Sequence, residues 1–180
     1  MEWINLWPLA LLLLSTGVVA GLIAGLLGVG GGIVLVPVLD LVLRYLGVPP
    51  EGSMHVAVAT SLATIIPTAI ASSRAHAARD GIDWSLVKAW LPGLLLGGVI
   101  GSALAARVTA QTLAGVFAVV AILVAAKMML PLDHWRLRET VPRGIGGNLI
   151  ATLISTVSTM MGIGGGTLSV PVMTLTGSAI

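Results

Sequence analysis

Between Trp3 and Leu39 the chain carries no Asp, Glu, Lys or Arg, and the same holds from Gly144 to Ile180. A helix crossing a bilayer needs about 20 apolar residues, and both stretches exceed that. Neither could face water as the surface of a soluble domain. Composition agrees, with 9% charged and 57% hydrophobic residues, where an ordinary soluble domain is about 25% charged. The fold class expected is therefore all-α, a polytopic helical membrane protein. A transmembrane β-barrel would show short segments of alternating polarity, and none occurs. Glu2 stands where a cleavable signal peptide has its positive region, and the apolar stretch behind it is too long for one. The absence of cysteine excludes disulfides, thiolate metal sites and thiol nucleophiles. With a net charge of only +2, the basic residues report membrane orientation and not nucleic-acid binding.

Five segments read as long enough to span: Leu6–Leu27, Met54–Ser73, Trp84–Ala106, Val108–Ala126 and Gly144–Met161. Two more, Ile33–Leu46 and Thr167–Ile180, are 14 residues each and reach about 21 Å against a hydrocarbon core of about 30 Å. They read as half-helices, re-entrant or broken. Arg74, Arg79 and Lys88 mark one basic loop, 74–88; Lys127, Arg136, Arg138 and Arg143 mark a second, 127–143. Two crossings separate these loops, which places them on one face, and an excess of Lys and Arg marks that face as cytoplasmic in an inner membrane. If Ile33–Leu46 crosses, the N-terminus is outside and the repeats are inverted, an arrangement common in transporters; if it is re-entrant, the N-terminus is inside and they are parallel.

The sequence repeats itself at an offset of 134. "GLLGVGGGIVLVPVL" (25–39) is answered by "MMGIGGGTLSVPVM" (160–173), so that Gly28 matches Gly162, Gly30 to Gly32 match Gly164 to Gly166, and Pro37 matches Pro171. Such repeats govern the whole reading of a fold. They divide the chain into a first transmembrane repeat, 1–134, and the start of a second, 135–180. No second copy of 47–130 occurs, and the expectation is a fragment of a longer protein.

Soluble readings of the glycines fail. A dinucleotide fingerprint requires a third glycine where Ile33 stands, and a P-loop requires Gly-Lys-Ser/Thr, with no lysine near. In a membrane, successive glycines weaken a helix by about 1 kcal/mol each relative to alanine, and freed backbone survives there only inside protein or beside an aqueous cavity. Unwound glycines expose N–H groups that can form an anion-binding nest. Pro37 and Pro171 suit the first turn of a new helix, whose positive dipole end would face the break. Two such breaks, one per repeat, point to a substrate site at the membrane midplane. The competing reading is close packing, which is the one given to Gly17, Gly21 and Gly25 and to Gly93, Gly97 and Gly101, both with small-xxx-small spacing.

These two glycine motifs, together with "ATSLATIIPTAIASSRAHAARDGIDW" (59–84), resemble the sulfite exporter TauE/SafE family of bacterial membrane transporters. The resemblance runs from about Gly17 to Ile180. It implies a multi-pass inner-membrane carrier exporting sulfite, organosulfonates or related small anions, and it gives weight to Thr60 and Ser61, which match the family's Thr-Ser pattern.

Thr60, Thr64, Thr68 and Ser72 recur every four residues and share a helix face. Hydroxyls so placed can line a polar path or bond back to their own helix. Asp40, an acid within the membrane, is a candidate for ion coupling, but Arg44 lies four residues on, the spacing of a helical ion pair, and the repeat places Thr174 where the acid would recur. A structural pair is preferred. His55, His76 and His134 have no metal-ligand spacing, and neither a metal nor a cofactor is expected. The five tryptophans fall mostly at segment ends, as interfacial anchors do.

The reading is a secondary carrier, not an enzyme. Gly30 to Gly32 and Gly164 to Gly166 would hold a small anionic substrate with Thr60 and Ser61 beside them, while Gly28, Pro37, Gly162 and Pro171 set the helix breaks. Lipid is the expected surrounding and nucleic acid is not a partner; a homo-oligomer is allowed. The alternatives are a structural membrane subunit or truncated remnant and, least favoured, an intramembrane enzyme. The orientation is testable because the chain lacks cysteine. A single cysteine at position 78 or 135 should react with a membrane-impermeant maleimide only after cells are permeabilised, and labelling of intact cells would reverse the orientation.

Overall fold

The computed structural model describes residues 7–8, 11, 14–15, 17–19, 21–22, 31–79, 81–129, 144–166 and 168–169. Gly25, Gly28, Gly30, His134 and Pro171 lie outside the described residues. All the regular structure among the described residues is helical. Among the described residues, the longer helices are, in chain order, Gly32–Tyr45 (α1), Pro50–Ala77 (α2), Trp84–Ala105 (α3), Ala110–Met129 (α4) and Ile145–Met161 (α5). Three are long and apolar enough to cross a bilayer, namely α2, α3 and the Ala110–Lys127 portion of α4. At 17 residues α5 reaches about 26 Å, so the segment Gly144–Met161 falls short of a full crossing. Its length is cut at Gly162, which leaves the helix in the left-handed conformation (φ +70°).

Local chemistry explains the helix ends. Pro50 opens α2 at the position where a missing N–H costs nothing. Asp83 caps α3 by accepting from the N–H groups of Ser85 (2.9 Å) and Leu86 (3.1 Å), satisfying donors that a helix start leaves without partners. In α1 the expectation for Pro37 needs correction. It lies inside the helix, not in the first turn, because the Gly31 carbonyl already accepts from Val34 (3.2 Å) and Leu35 (2.9 Å). The ring leaves the Ile33 carbonyl without its usual ladder donor.

Aliphatic side chains point outward from these helices, among them Leu95, Val99, Ile122, Leu123 and Leu153, all more than half exposed. Contiguous apolar surface of this kind suits lipid and not water. The interior is built largely of small residues. Along α3, Gly93, Gly97 and Gly101 are buried against α5. A methyl added at any of them would fall within 3.0 Å of a backbone oxygen: that of Asn148, Thr152 or Thr156 respectively. The constant step from 93 to 148, 97 to 152 and 101 to 156 means that α3 and α5 run parallel and enter from one side. Hydroxyls close the seam, with Ser155 Oγ donating to the Leu94 carbonyl (2.7 Å) and Thr156 Oγ1 to that of Gly97 (3.2 Å). Asn148 Oδ1 accepts from the Gly93 N–H at 2.9 Å. Small residues that let backbones approach, with hydroxyls bonding across, are how helices associate where no hydrophobic effect separates protein from solvent. Trp90 belongs to this seam as well. It is buried with Ala151 and Ile154, so it is not an interfacial anchor, whereas Trp84 is exposed. Gly17 and Gly21, read as a packing motif, meet no atom within 4 Å of an added methyl.

The other helices assemble around α2. α1 runs back along it, and the core cluster of Val36, Met54, Ala57, Val58, Leu113, Phe117 and Met161 joins α1, α2, α4 and the end of α5. Gly97→Ala should lower the stability of the purified protein in detergent by about 1–3 kcal/mol, because the added methyl meets backbone. Gly115→Ala in α4, where an added methyl meets nothing, should hold or raise it. Equal melting of the two variants would refute the glycine seam.

Candidate functional site

α5 ends as a Schellman motif. The Ile163 N–H donates to the Ser158 carbonyl (3.1 Å) and the Gly162 N–H to that of Thr159 (3.2 Å). Beyond it the chain turns sharply through Gly164 (φ +77°) and Gly165 (φ +82°), conformations that glycine alone adopts freely. A new helical turn then opens at Gly166, with the Gly165 carbonyl accepting from Leu168 (3.2 Å) and Ser169 (2.9 Å). These two bonds are the counterparts, 134 residues on, of those from Val34 and Leu35 to Gly31. The glycine clusters thus start a helix at equivalent positions, Gly32 and Gly166.

The α1 start meets the end of α5. Gly32 is buried with its α-carbon against the Gly162 carbonyl and the Ile163 α-carbon, both within 3.0 Å of where a methyl would stand. Val36 and Val58 flank Gly162, and Ile65 flanks Gly164. From α2, the buried Ser61 hydroxyl donates to the Gly162 carbonyl at 2.6 Å, satisfying an acceptor that the end of α5 leaves free. Ser61 lies 11 residues into α2, about 17 Å from its start, which is roughly half the thickness of the hydrocarbon core. α1, 14 residues long, reaches about 21 Å from here and so falls short of a full crossing.

Of the residues read from the sequence, the structure gathers Gly31, Gly32, Ser61, Gly162, Gly164, Gly165 and Gly166 around this break. It does not bring Thr60 there; Thr60 is exposed on α2. The hydroxyls beyond it bond to their own helix, Thr64 to the Ser61 carbonyl (2.7 Å) and Thr68 to those of Thr64 and Ile65 (3.0 Å each). Among the N–H groups, that of Gly165 donates to Ser158 Oγ and that of Gly166 to the Gly164 carbonyl (3.0 Å). The N–H groups of Gly32, Ile33 and Gly164 have no acceptor among the described residues. The sequence reading passed over Ser158 and Ser169; the signal available was a serine one helical turn before the Gly162 stop.

Asp40 sits apart, two turns down α1. One carboxylate oxygen accepts from Ser53 Oγ at 2.6 Å and the other pairs with Arg44 at 3.0 Å. With both oxygens engaged, it braces α1 against the start of α2. His55, in the second turn of α2, has its Nε2 3.0 Å from the Val108 carbonyl; a carbonyl only accepts, so Nε2 carries the proton. The bond ties α2 to the α3–α4 connection.

The fold is that of a helical membrane protein in which the glycine start of one helix meets the glycine end of another. Residues 13–179 match the model of the sulfite exporter TauE/SafE family, and the chain belongs to that family. It is 36% identical over 171 residues to a probable membrane transporter protein of Haemophilus influenzae, covering 93% of this chain and 63% of the relative. It is 31% identical over 111 residues to the probable membrane transporter protein YunE of Bacillus subtilis, covering 62% of this chain and 38% of the relative. With MJ0441 of Methanocaldococcus jannaschii, another probable membrane transporter protein, it shares 28% identity over 185 residues, or 97% of this chain and 64% of the relative. The chain thus spans under two thirds of the length of these relatives. No solved structure matches it.

The bond from Ser61 gives a sharp expectation. Ser61→Ala leaves a buried carbonyl without a donor and should cost about 1–3 kcal/mol, while Thr60→Ala on the exposed side should stay within about 0.5 kcal/mol, both read by unfolding in detergent. Equal effects would remove Ser61 from the break.

Proposed function

We propose that this chain forms part of a secondary carrier that exports small oxyanions, of the sulfite or organosulfonate type, by alternating access. The observation that supports it most is the meeting of the α1 start with the end of α5 at Gly162–Ile163, beside which the N–H groups of Gly32, Ile33 and Gly164 have no acceptor among the described residues. Helix N-termini and exposed backbone N–H groups favour anions, and their strength grows where water is scarce. The charged residues of α1, Asp40 and Arg44, bind each other at its far end. The anion would therefore be held by dipoles alone, weakly enough to be released. Arg74, Arg79 and Lys88 at the basic face would draw anions towards the mouth. No ATP-binding motif appears in the sequence, so an ion gradient or the substrate's own gradient would drive the cycle.

The parts that move are not the two repeats. α3, from the first, is locked to α5, from the second, by the glycine seam. Access would alternate by motion of the α3–α5 pair against α1, α2 and α4, with the break at the joint.

The test is sulfite efflux from proteoliposomes. Gly31 has a helical φ of −62° and room for a methyl, so Gly31→Ala keeps the fold. Efflux should fall at least about fivefold with melting unchanged, the size of a modest lost binding interaction. Unchanged efflux in this variant, or no efflux in the unmodified protein, would defeat the reading.

A further inference from the structure

The serines around the second break take up its polar groups in turn. Ser61 Oγ donates to the Gly162 carbonyl at 2.6 Å, and Ser169 Oγ donates to the Gly165 carbonyl at 2.9 Å. Ser158 does the most. Its side chain is almost fully buried; its backbone carbonyl accepts from Ile163 and its hydroxyl oxygen accepts the Gly165 N–H. One residue thus makes two of the bonds that fold the chain back over the end of α5. With the Gly165 and Gly166 N–H groups spent, Gly164 presents the one amide of the three glycines that has no acceptor among the described residues.

The first cluster is built differently. The residue 134 positions before Ser158 is Ala24, and the one before Ser169 is Leu35. No hydroxyl stands at the equivalent place to take the Gly31 N–H, and Gly31 is right-handed (φ −62°) where Gly165 is left-handed (φ +82°). The matched glycines Gly31 and Gly165 therefore differ in backbone conformation, and Ser158 is the side chain that bonds the amide of Gly165.

We propose that Ser158 is a positioning residue of the anion site: by capturing the Gly165 N–H it holds the turn in the conformation that leaves the Gly164 N–H for the substrate. The proposal rests on the oxyanion reading above and deepens it. It makes the second cluster the element that sets affinity, while the first supplies the end of a helix.

The experiment uses the whole protein in detergent, with Ser158→Ala, Ser158→Thr and Ser169→Ala, and two measurements. Hydrogen–deuterium exchange over residues 162–169 reads the hold on Gly165, and equilibrium binding of radiolabelled sulfite reads both affinity and the number of sites. Ser158→Ala should speed exchange of the Gly165 amide and weaken sulfite binding about tenfold, the effect of losing one modest hydrogen bond, with the number of sites unchanged. Ser158→Thr, which restores the hydroxyl, should recover both. Ser169→Ala, which touches only carbonyls, should leave affinity within about twofold. A merely structural role for Ser158 would reduce the number of sites and leave the affinity of those remaining intact, and that result overturns the proposal. Unchanged exchange in Ser158→Ala overturns it too. Faster exchange in that variant, combined with no sulfite binding by the unmodified protein, would instead defeat the oxyanion reading while leaving the hold on Gly165 established.

Discussion

A helix that stops within a membrane leaves its last carbonyls and the next helix's first N–H groups with no water to receive them, at a cost of several kcal/mol for each group unsatisfied. The end of α5 is arranged around that constraint. The Schellman bonds take two groups, Ser61 supplies a donor to a third, and Ser158 and Ser169 serve the turn that follows. Glycine is needed at Gly162, Gly164 and Gly165 because the turn that permits these bonds runs through positive φ. The close approach of Gly32 to Gly162 and Ile163 follows from having closed the break in this way.

The second organising element is the α3–α5 seam. Its glycines remove side chains so that hydroxyls and an asparagine can reach backbone across the interface. In the break, glycine provides conformation; in the seam, it provides absence of bulk. The two uses answer different physical needs, and within one chain they are separable by φ. Gly93, Gly97 and Gly101 lie within the regular helix α3, while Gly162, Gly164 and Gly165 are left-handed.

Much of this was legible in the sequence. The helical membrane class followed from the uncharged stretches, the seam from glycines four apart in Gly93–Gly101, and the half-helix α1 from a length too short to span. The Asp40–Arg44 pair followed from i, i+4 spacing. Other features required partners that no local pattern names. Pro37 looked like a helix start because proline is suited to that place, but Gly31 had already begun the helix through its own carbonyl. Thr60 and Ser61 were indistinguishable as neighbours in a Thr-Ser pair, yet a step of about 100° around a helix turns one to the break and the other away. Ser158 was missed because a serine in an apolar helix gives no sign of bonding an amide seven residues later. Trp90 was misread because burial against Ala151 depends on a helix from the other repeat.

The parallel register of α3 and α5 bears on how such a chain is made. Residues 93–101 are synthesised and inserted well before residues 148–156, which they must contact. Until α5 arrives, α3 carries a furrow of bare backbone facing lipid, with α4 and the second basic loop still to be threaded. The seam can close only after the second repeat has begun to enter the membrane. The α3–α5 packing therefore joins segments about 55 residues apart in the chain and forms late in synthesis.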